Sequence, residues 1–169
     1  MSCNSQNNAV TKKISDLYVG MTIQEFEDIL PDIVIPENNI DFQTGKDKDD
    51  VFGLTGGWAF NFKDGILNWF MMNSYSDVIT EENYQKYEEA YLGFKSILEE
   101  TFGKPYEDIT HNVRFKDPYI ERHWGYDVSE AIWKNSKMKF KLIFTFMGGK
   151  GEYHFLLKAE FHNNDYEYY

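Results

Sequence analysis

The chain has little positive charge and almost no arginine. Arg114 and Arg122 are its only arginines, and 17 basic residues stand against 28 acidic ones, giving a formal net charge of −11. Nucleic-acid binding depends on clustered basic side chains that neutralise phosphates, so nucleic acid is excluded as an expected partner. The acidic balance is compatible with a protein partner, and with a basic one, but excess acid also simply keeps a domain in solution, and this second interpretation is favoured.

Cysteine occurs once, and long apolar runs are missing. No stretch approaches the ~20 apolar residues of a membrane-spanning helix, and no basic segment followed by an apolar one marks a secretory signal. Cys3 follows Ser2 and precedes the polar residues 4–8, as the lipid-bearing cysteine does at the mature start of a bacterial lipoprotein. Cys3 is therefore the predicted lipid attachment site and the one expected membrane contact; a chance cysteine in a frayed terminus is the alternative.

Motifs for catalysis, cofactors and metals are also missing. Residues 148–151, Gly-Gly-Lys-Gly, lack the Ser or Thr that follows Lys in a phosphate loop, and they link two predicted strands. The acidic run at 46–50 lacks the glycine and the glutamate that a calcium loop requires. The four histidines lack the spacing of a zinc protease. The sequence therefore predicts no catalytic residue, no metal ligand and no cofactor.

A strongly marked β-hairpin is present. Asp64-Gly65 supplies the two central residues of a tight turn in which both residues have positive φ. Such a turn pairs Lys63 with Ile66, and regular pairing from there predicts which side chains share a face. The predicted core face consists of Trp58, Phe60, Phe62, Leu67, Trp69 and Met71.

The opposite face of this hairpin is the predicted partner surface. It mixes apolar groups with two amides, and its candidate residues are Asn61, Ile66, Asn68, Phe70 and Met72. An exposed apolar patch with polar edges is typical of a protein-binding surface. Cover by the first helix or by the connection at 32–50 is the alternative.

Two helices are predicted from their ends and their apolar stripes. Thr22 and Glu25 form a capping box at the start of a short helix that Pro31 ends. Thr80 caps a long helix, and Gly103 supplies its C-terminal cap. The apolar stripe of the long helix consists of Tyr84, Tyr87, Tyr91, Phe94 and Leu98.

The later part of the chain is predicted to form β-strands. Two registers of the last two strands keep their apolar faces together, and the one that sets Lys141 opposite Glu160 is favoured because its rival opposes Lys141 to Lys158. The predicted fold class is α+β: an antiparallel sheet of about five strands with one long and one short helix packed on one face. The predicted organisation is a flexible segment (1–13), a single domain (14–162) and a frayed tail (163–169), with a weak edge strand at 109–115.

One short stretch resembles a known group of proteins. The sequence Leu17-Tyr18-Val19-Gly20-Met21-Thr22-Ile23-Gln24-Glu25-Phe26 resembles the Gly-Met-Thr helix entry of small bacterial envelope modules, the SmpA/OmlA-like outer-membrane assembly lipoproteins and the folds similar to β-lactamase inhibitor proteins. The resemblance implies helices on one face of an antiparallel sheet and a binding role. The chain departs from these modules in its long helix and long hairpin region, and no functional residue carries over.

Three functions are compatible with these observations. The leading hypothesis is a non-catalytic protein-binding domain of the bacterial cell envelope or periplasm, lipid-anchored through Cys3. The second is a cytoplasmic acidic inhibitor or immunity protein that neutralises a basic partner, whose encounter the charge of −11 would accelerate. The third is an enzyme or ligand carrier with a pocket of Tyr and Trp between sheet and helices.

Overall fold

The computed structural model of the chain describes residues 14–31, 43–44, 49–110, 126–149 and 152–165. The helices are α1 (Ile23–Ile29) and α2 (Glu81–Phe102). The strands are β1 (Gln43–Thr44), β2 (Asp49–Val51), β3 (Leu54–Lys63), β4 (Ile66–Ser76), β5 (Glu107–Thr110), β6 (Tyr126–Lys134), β7 (Lys139–Gly149) and β8 (Glu152–His162). The predicted flexible segment 1–13, most of the connection at 32–50, residues 111–115 of the predicted edge strand and residues 166–169 of the predicted tail lie outside the described residues.

The strands form one antiparallel sheet. Their order is β1-β3-β4-β8-β7-β6-β5, and β2 pairs with β3 outside this path. Six of the strands have four residues or more, while β1 is a short segment within the predicted connection at 32–50 and β2 is a short segment at its end. The α+β class and the antiparallel sheet are therefore confirmed. A pair of two- and three-residue strands is too short to show a hydrophobic period in the sequence.

The ends of both helices are held by the caps that the sequence predicts. At α1, the Thr22 hydroxyl accepts a hydrogen bond from the Glu25 backbone N–H at 3.2 Å, and the Glu25 carboxylate accepts one from the Thr22 N–H at 2.7 Å. At α2, Thr80 caps the first turn, and Gly103 ends the helix with a φ of 81°. The indole N–H of Trp133 donates to the Gly103 carbonyl at 2.8 Å, which fixes this helix end to β6.

A β-bulge interrupts the first hairpin. The turn is as predicted, with φ values of 55° at Asp64 and 76° at Gly65, and the first pairs beyond it follow the predicted register. Asn61 then pairs with Trp69, so Asn68 is an extra residue in β4. The Asn68 amide donates to the Asn61 side-chain oxygen at 3.0 Å. Because one extra residue reverses the alternation of side chains, β4 presents the opposite set of residues beyond this point.

The bulge corrects the predicted faces of the hairpin. Phe60 pairs with Phe70 rather than with Trp69, and Trp58 pairs with Met72. Phe70 and Met72, which were predicted on the partner surface, are 0% exposed members of the core. Trp69 and Met71, which were predicted in the core, lie on the other side of the sheet.

A row of aromatic rings crosses five adjacent strands on the core side. Trp133 stacks on Phe140 with ring centroids 5.2 Å apart, and Phe140 stacks on Phe161 at 5.2 Å. Phe161 stacks on Phe70 at 4.2 Å, and Phe70 stacks on Phe60 at 5.9 Å. Each such pair contributes roughly 0.5–1.5 kcal/mol beyond its buried area. The row is continuous only because the bulge turns Phe70 toward this side.

Both helices cover this same side, which we call the inner face. Phe26 of α1 packs edge-on against Phe60, with centroids 4.5 Å apart. The ring centroids of Tyr87 in α2 and Phe144 in β7 are 6.2 Å apart. All five residues of the predicted α2 stripe are buried. The predicted placement of the helices on one face is thus what the contacts of the described residues show.

The register of the last two strands is also as predicted. Lys141 is the Cα partner of Glu160 in the β7–β8 ladder. The alternate apolar residues of β7 that face the core are buried: Phe140, Leu142, Phe144 and Phe146. This strand pair lies in the interior of the sheet, between β4 and β6.

Candidate interaction surfaces

The sheet has an outer face, opposite the helices, which carries the residues that alternate with the core set. From β4 it includes Trp69, Met71, Asn73 and Tyr75, and from β8 it includes His154, Leu156, Lys158, Glu160 and His162. From β7 it includes Lys139, Lys141, Ile143 and Thr145, of which Ile143 and Thr145 are buried. The outer face is therefore mixed in polarity and only partly exposed.

The predicted partner residues are divided between the two faces. Asn61 and Asn68 lie on the outer face, where they are partly exposed and bonded to each other, and Ile66 is exposed beside the turn. Phe70 and Met72 are removed from the surface by the bulge. The remaining three residues make a smaller and more polar surface than the sequence predicted. Cys3, the predicted lipid site, lies outside the described residues.

Ion pairs on the outer face link neighbouring side chains. Lys141 Nζ lies 2.6 Å from Glu130 Oε2, and Lys158 Nζ lies 2.5 Å from Glu160 Oε1. The first pair is nearly covered, with side-chain exposures of 11% and 12%. Partly buried pairs of this kind stabilise only while both members are present, because a single remaining charge would be poorly solvated. The Lys141–Glu130 pair therefore links β7 to β6, and the Lys158–Glu160 pair lies within β8.

His162 is the most perturbed titratable group on the outer face. It pairs with Trp69 across the β4–β8 ladder, with ring centroids 6.4 Å apart. Burial lowers the pKa of His162, the positive charge of Lys158 lowers it further, and Glu160 opposes the change. The folded protein therefore favours the neutral imidazole.

We expect His162 to make stability depend on pH. Its pKa is lower in the folded chain than in the unfolded chain, where it is about 6.5, so the unfolded state takes up the proton first as the pH falls. The stabilisation is fully present above pH ~6.5 and is lost as the pH falls toward the folded pKa. Urea unfolding of the wild type and of His162→Gln across this window measures the effect. The difference between their free energies of unfolding should decrease as the pH falls.

The control for this pH effect is His154→Gln, which removes another imidazole from the outer face of the same strand. The acid-dependent loss seen in the wild type should persist in this control. If His162→Gln shows the same acid-dependent loss as the wild type, the assignment to His162 is wrong.

Two tyrosines of α2 differ in how their buried hydroxyl groups are satisfied. The Tyr87 hydroxyl is 3.0 Å from the Ser74 hydroxyl, which itself donates to the Thr55 carbonyl at 2.6 Å. The Tyr91 hydroxyl is buried and finds no hydrogen-bond partner among the described residues. Burial raises the pKa of Tyr91, and the nearby carboxylate of Asp108 raises it further.

We expect the two tyrosines to respond oppositely to loss of the hydroxyl. Tyr87→Phe should lower the free energy of unfolding by about 1 kcal/mol, because the buried Ser74 hydroxyl loses a partner. Tyr91→Phe should leave it unchanged or raise it by up to ~1 kcal/mol, because an unsatisfied polar atom is removed. Chemical denaturation of both variants provides the measurement. Equal losses in the two variants would show that the Tyr91 hydroxyl is bonded.

A small exposed patch lies at the end of β4, and we call it the Tyr75 patch. It consists of Tyr75 and Val78, which are 62% and 60% exposed, together with Leu156 and His154 of β8. Leu156 is the Cα partner of Tyr75, and the rings of Tyr75 and His154 are 6.5 Å apart. Asp77 lies 4.0 Å from the His154 imidazole and gives the patch a polar edge.

A second exposed surface is the outward side of α2, away from the sheet. Its residues, all exposed, are Glu82, Gln85, Lys86, Glu89, Leu92, Gly93, Ser96 and Glu100. Leu92 is 56% exposed although it is a large apolar side chain. Gly93 is an interior helical residue, where glycine costs roughly 1 kcal/mol relative to alanine. From the sequence, only the inward stripe of this helix was predicted.

The chemistry available in the described parts of the chain is limited. Among these residues, no group of three or more His, Cys, Asp and Glu side chains could hold a metal ion. Within the same ranges, no helix is long and apolar enough to cross a membrane. Within the described residues, the Tyr75 patch and the outward side of α2 are two surfaces that expose large apolar side chains.

No protein-family model, curated protein or solved structure matches this chain. The functional interpretation therefore depends on the residues and surfaces described above.

Proposed function

We propose that this chain is a non-catalytic protein-binding domain of the bacterial cell envelope, held at a membrane by a lipid on Cys3. The observation that supports protein binding is the Tyr75 patch: Tyr75, the ladder partner of Leu156, is more than half exposed, and so is Val78, three residues further along the chain. Tyrosine is enriched at protein interfaces because its ring is apolar and its hydroxyl is polar. The polar edge formed by Asp77 and His154 suits such a surface.

The placement in the envelope has separate support. Ser2-Cys3 followed by a polar stretch is the arrangement found at the start of mature bacterial lipoproteins, and residues 17–26 resemble a helix entry of envelope modules. A lipid-anchored domain needs a tether between the lipid and the folded part, and the sequence from Asn4 to Asn8 is polar enough to provide one.

The ionisable side chains with close described partners serve the fold. Lys95 of α2 lies 2.6 Å from Asp108 of β5 and 3.4 Å from Glu99, so it joins the long helix to the edge of the sheet. Burial lowers the pKa of Lys95, but the hydrogen bonds and negative charges of Asp108 and Glu99 together outweigh burial and raise the pKa. Structural use of these charges supports binding through the surface rather than proton transfer at a site.

Protein binding is tested by affinity capture of the full chain from envelope extracts of the native organism. We expect wild type to retain one specific protein, and Tyr75→Ser to retain several-fold less of it. The matched control is Tyr106→Ser, which removes another tyrosine that is 58% exposed but lies next to β5. Retention of no specific protein would contradict the proposed function, and equal loss in both variants would remove the role of the Tyr75 patch.

The lipid anchor is tested by the mass of the N-terminus in the same preparation. We expect a mature chain that begins at a lipid-modified Cys3, and we expect Cys3→Ser to abolish both the modification and membrane association. An unmodified N-terminus at Met1 would contradict the anchor.

A second candidate function is an acidic cytoplasmic inhibitor or immunity protein that neutralises a basic partner. The observation that favours it is the charge of α2, which contains six glutamates and two lysines. An unmodified N-terminus together with salt-sensitive capture of a basic toxin or enzyme would select this function over the envelope one.

A further inference from the structure

We propose that the outward side of α2 is a contact surface for a basic helical segment of the partner protein, centred on Leu92 and Gly93. This inference rests on the proposed function, because it names the partner's chemistry and a place where the partner binds. The surface consists of Glu82, Gln85, Lys86, Glu89, Leu92, Gly93, Ser96 and Glu100, all of which are exposed.

Gly93 indicates close approach by another chain. It lies in the interior of a 22-residue helix, where glycine is destabilising relative to alanine. A Cβ added at Gly93 would meet no heavy atom within 4 Å among the described residues, so the packing of this part of the chain does not require glycine there. A missing side chain on an exposed helix lets the backbone of a partner approach closely.

Leu92 provides an apolar contact next to this gap. Its side chain is 56% exposed on a helix whose other large apolar residues face the sheet or lie at its margins. Glu89 and Ser96 are one helical turn before and after Leu92, so the exposed apolar side chain has polar neighbours on both sides. An apolar centre with a polar rim is the composition of a protein-binding surface, and a grooved helix surface suits a second helix.

The negative charge of this surface indicates what kind of partner can bind there. Glu82, Glu89 and Glu100 lie on it, against one cation, Lys86, while the other lysine of α2, Lys95, is paired with Asp108. A basic partner is attracted to these carboxylates, whereas nucleic acid and anionic lipid are repelled. A second copy of this chain would bring the same carboxylates to an isologous interface, so self-association is disfavoured.

The first experiment maps the surface with a defined probe. The probe is a synthetic, end-blocked amphipathic helix of leucine and lysine, and its counterpart has glutamate in place of lysine. We expect amide shift changes in NMR spectra of the full chain to centre on residues 89–96 at low salt, to weaken with added salt, and to be absent with the glutamate peptide. Changes centred on the outer face of the sheet or on β5 would overturn the proposal.

The second experiment separates binding from folding. Gly93→Gln should raise the midpoint of thermal unfolding by about 2 °C, because glutamine is the better helix former, and should weaken binding of the basic peptide about tenfold. A variant that is more stable yet binds less well cannot be explained by misfolding. Unchanged peptide affinity in Gly93→Gln would overturn the close-approach contact.

Charge is tested with a matched pair of substitutions. Glu89→Gln removes one charge from the proposed surface, and Glu107→Gln removes one from exposed β5. We expect Glu89→Gln to weaken peptide binding several-fold more than Glu107→Gln does; equal effects would mean that only net charge matters and would overturn the proposal. If envelope capture through Tyr75 succeeds while these peptide experiments fail, the proposed function stands and this inference alone is wrong.

Discussion

Phe70→Ala is expected to lower the free energy of unfolding by about 3–5 kcal/mol, the range for removing a ring from a well-packed core. Phe70 is 0% exposed and stacks on both Phe161 and Phe60, so its loss leaves a cavity in the middle of the aromatic row. Trp69→Ala, one residue earlier in β4, should cost only about 1–2 kcal/mol because Trp69 lies partly exposed on the outer face. Urea denaturation of the two variants measures both values.

This pair of substitutions is informative because the regular hairpin register makes the opposite prediction. Without the bulge, Trp69 would be the core residue and Phe70 the surface residue. A larger loss for Trp69→Ala than for Phe70→Ala would therefore contradict the bulge at Asn68.

Phe94→Asp is expected to unfold the domain. Phe94 is buried in the middle of α2 and packs edge-on against Phe52, with ring centroids 4.4 Å apart. The substitution removes that packing and places an unpaired carboxylate in an apolar site, a combination that exceeds ~4 kcal/mol. Since domains of this kind have only ~5–15 kcal/mol of stability, we expect loss of the cooperative thermal transition measured by circular dichroism.

The control is Leu92→Asp, which places the same charge on the same helix two residues away. Leu92 is more than half exposed, so its substitution should change stability by less than ~1 kcal/mol. A Phe94→Asp variant with an unchanged transition would contradict the packing of α2 on the sheet.

The parts of the fold that are set by local chemistry could be predicted from the sequence. The caps at Thr22 and Thr80 depend on side chains within three residues of the helix start, so their geometry can be predicted without knowledge of the rest of the chain. The buried stripe of α2 could be predicted because its apolar residues recur every three or four positions, which places them on one side of a helix. The requirement that both apolar faces point the same way leaves two registers for the last two strands, and the pairing of Lys141 with Glu160 rather than with Lys158 selects the observed one.

The bulge could not be predicted in the same way. Trp69, Phe70, Met71 and Met72 are all apolar, so β4 offers two nearly equivalent core faces, and turn geometry alone favoured the wrong one. The choice is made by tertiary packing, since Phe70 fits against Phe161 of a strand almost a hundred residues later. The error moved Phe70 and Met72 from the predicted partner surface into the core.

The candidate surfaces were only partly visible in the sequence. Asn61, Ile66 and Asn68 are at the surface, but Tyr75 and Val78 are the more exposed groups, and their prominence depends on where β4 ends. Leu92 and Gly93 stand out as an exposed leucine and an unneeded glycine only when the helix is seen packed on the sheet. Exposure depends on neighbours from distant parts of the chain, which periodicity does not supply.

The bulge at Asn68 turns Phe70 toward the helices and completes the aromatic row. Nuclear Overhauser contacts between assigned aromatic rings report this arrangement. We expect contacts from the Phe70 ring to the rings of Phe60 and Phe161, and from the Trp69 ring to His162. Contacts from Trp69 to Phe60 and Phe161, with Phe70 beside His162, would show that β4 keeps the regular hairpin register and has no bulge.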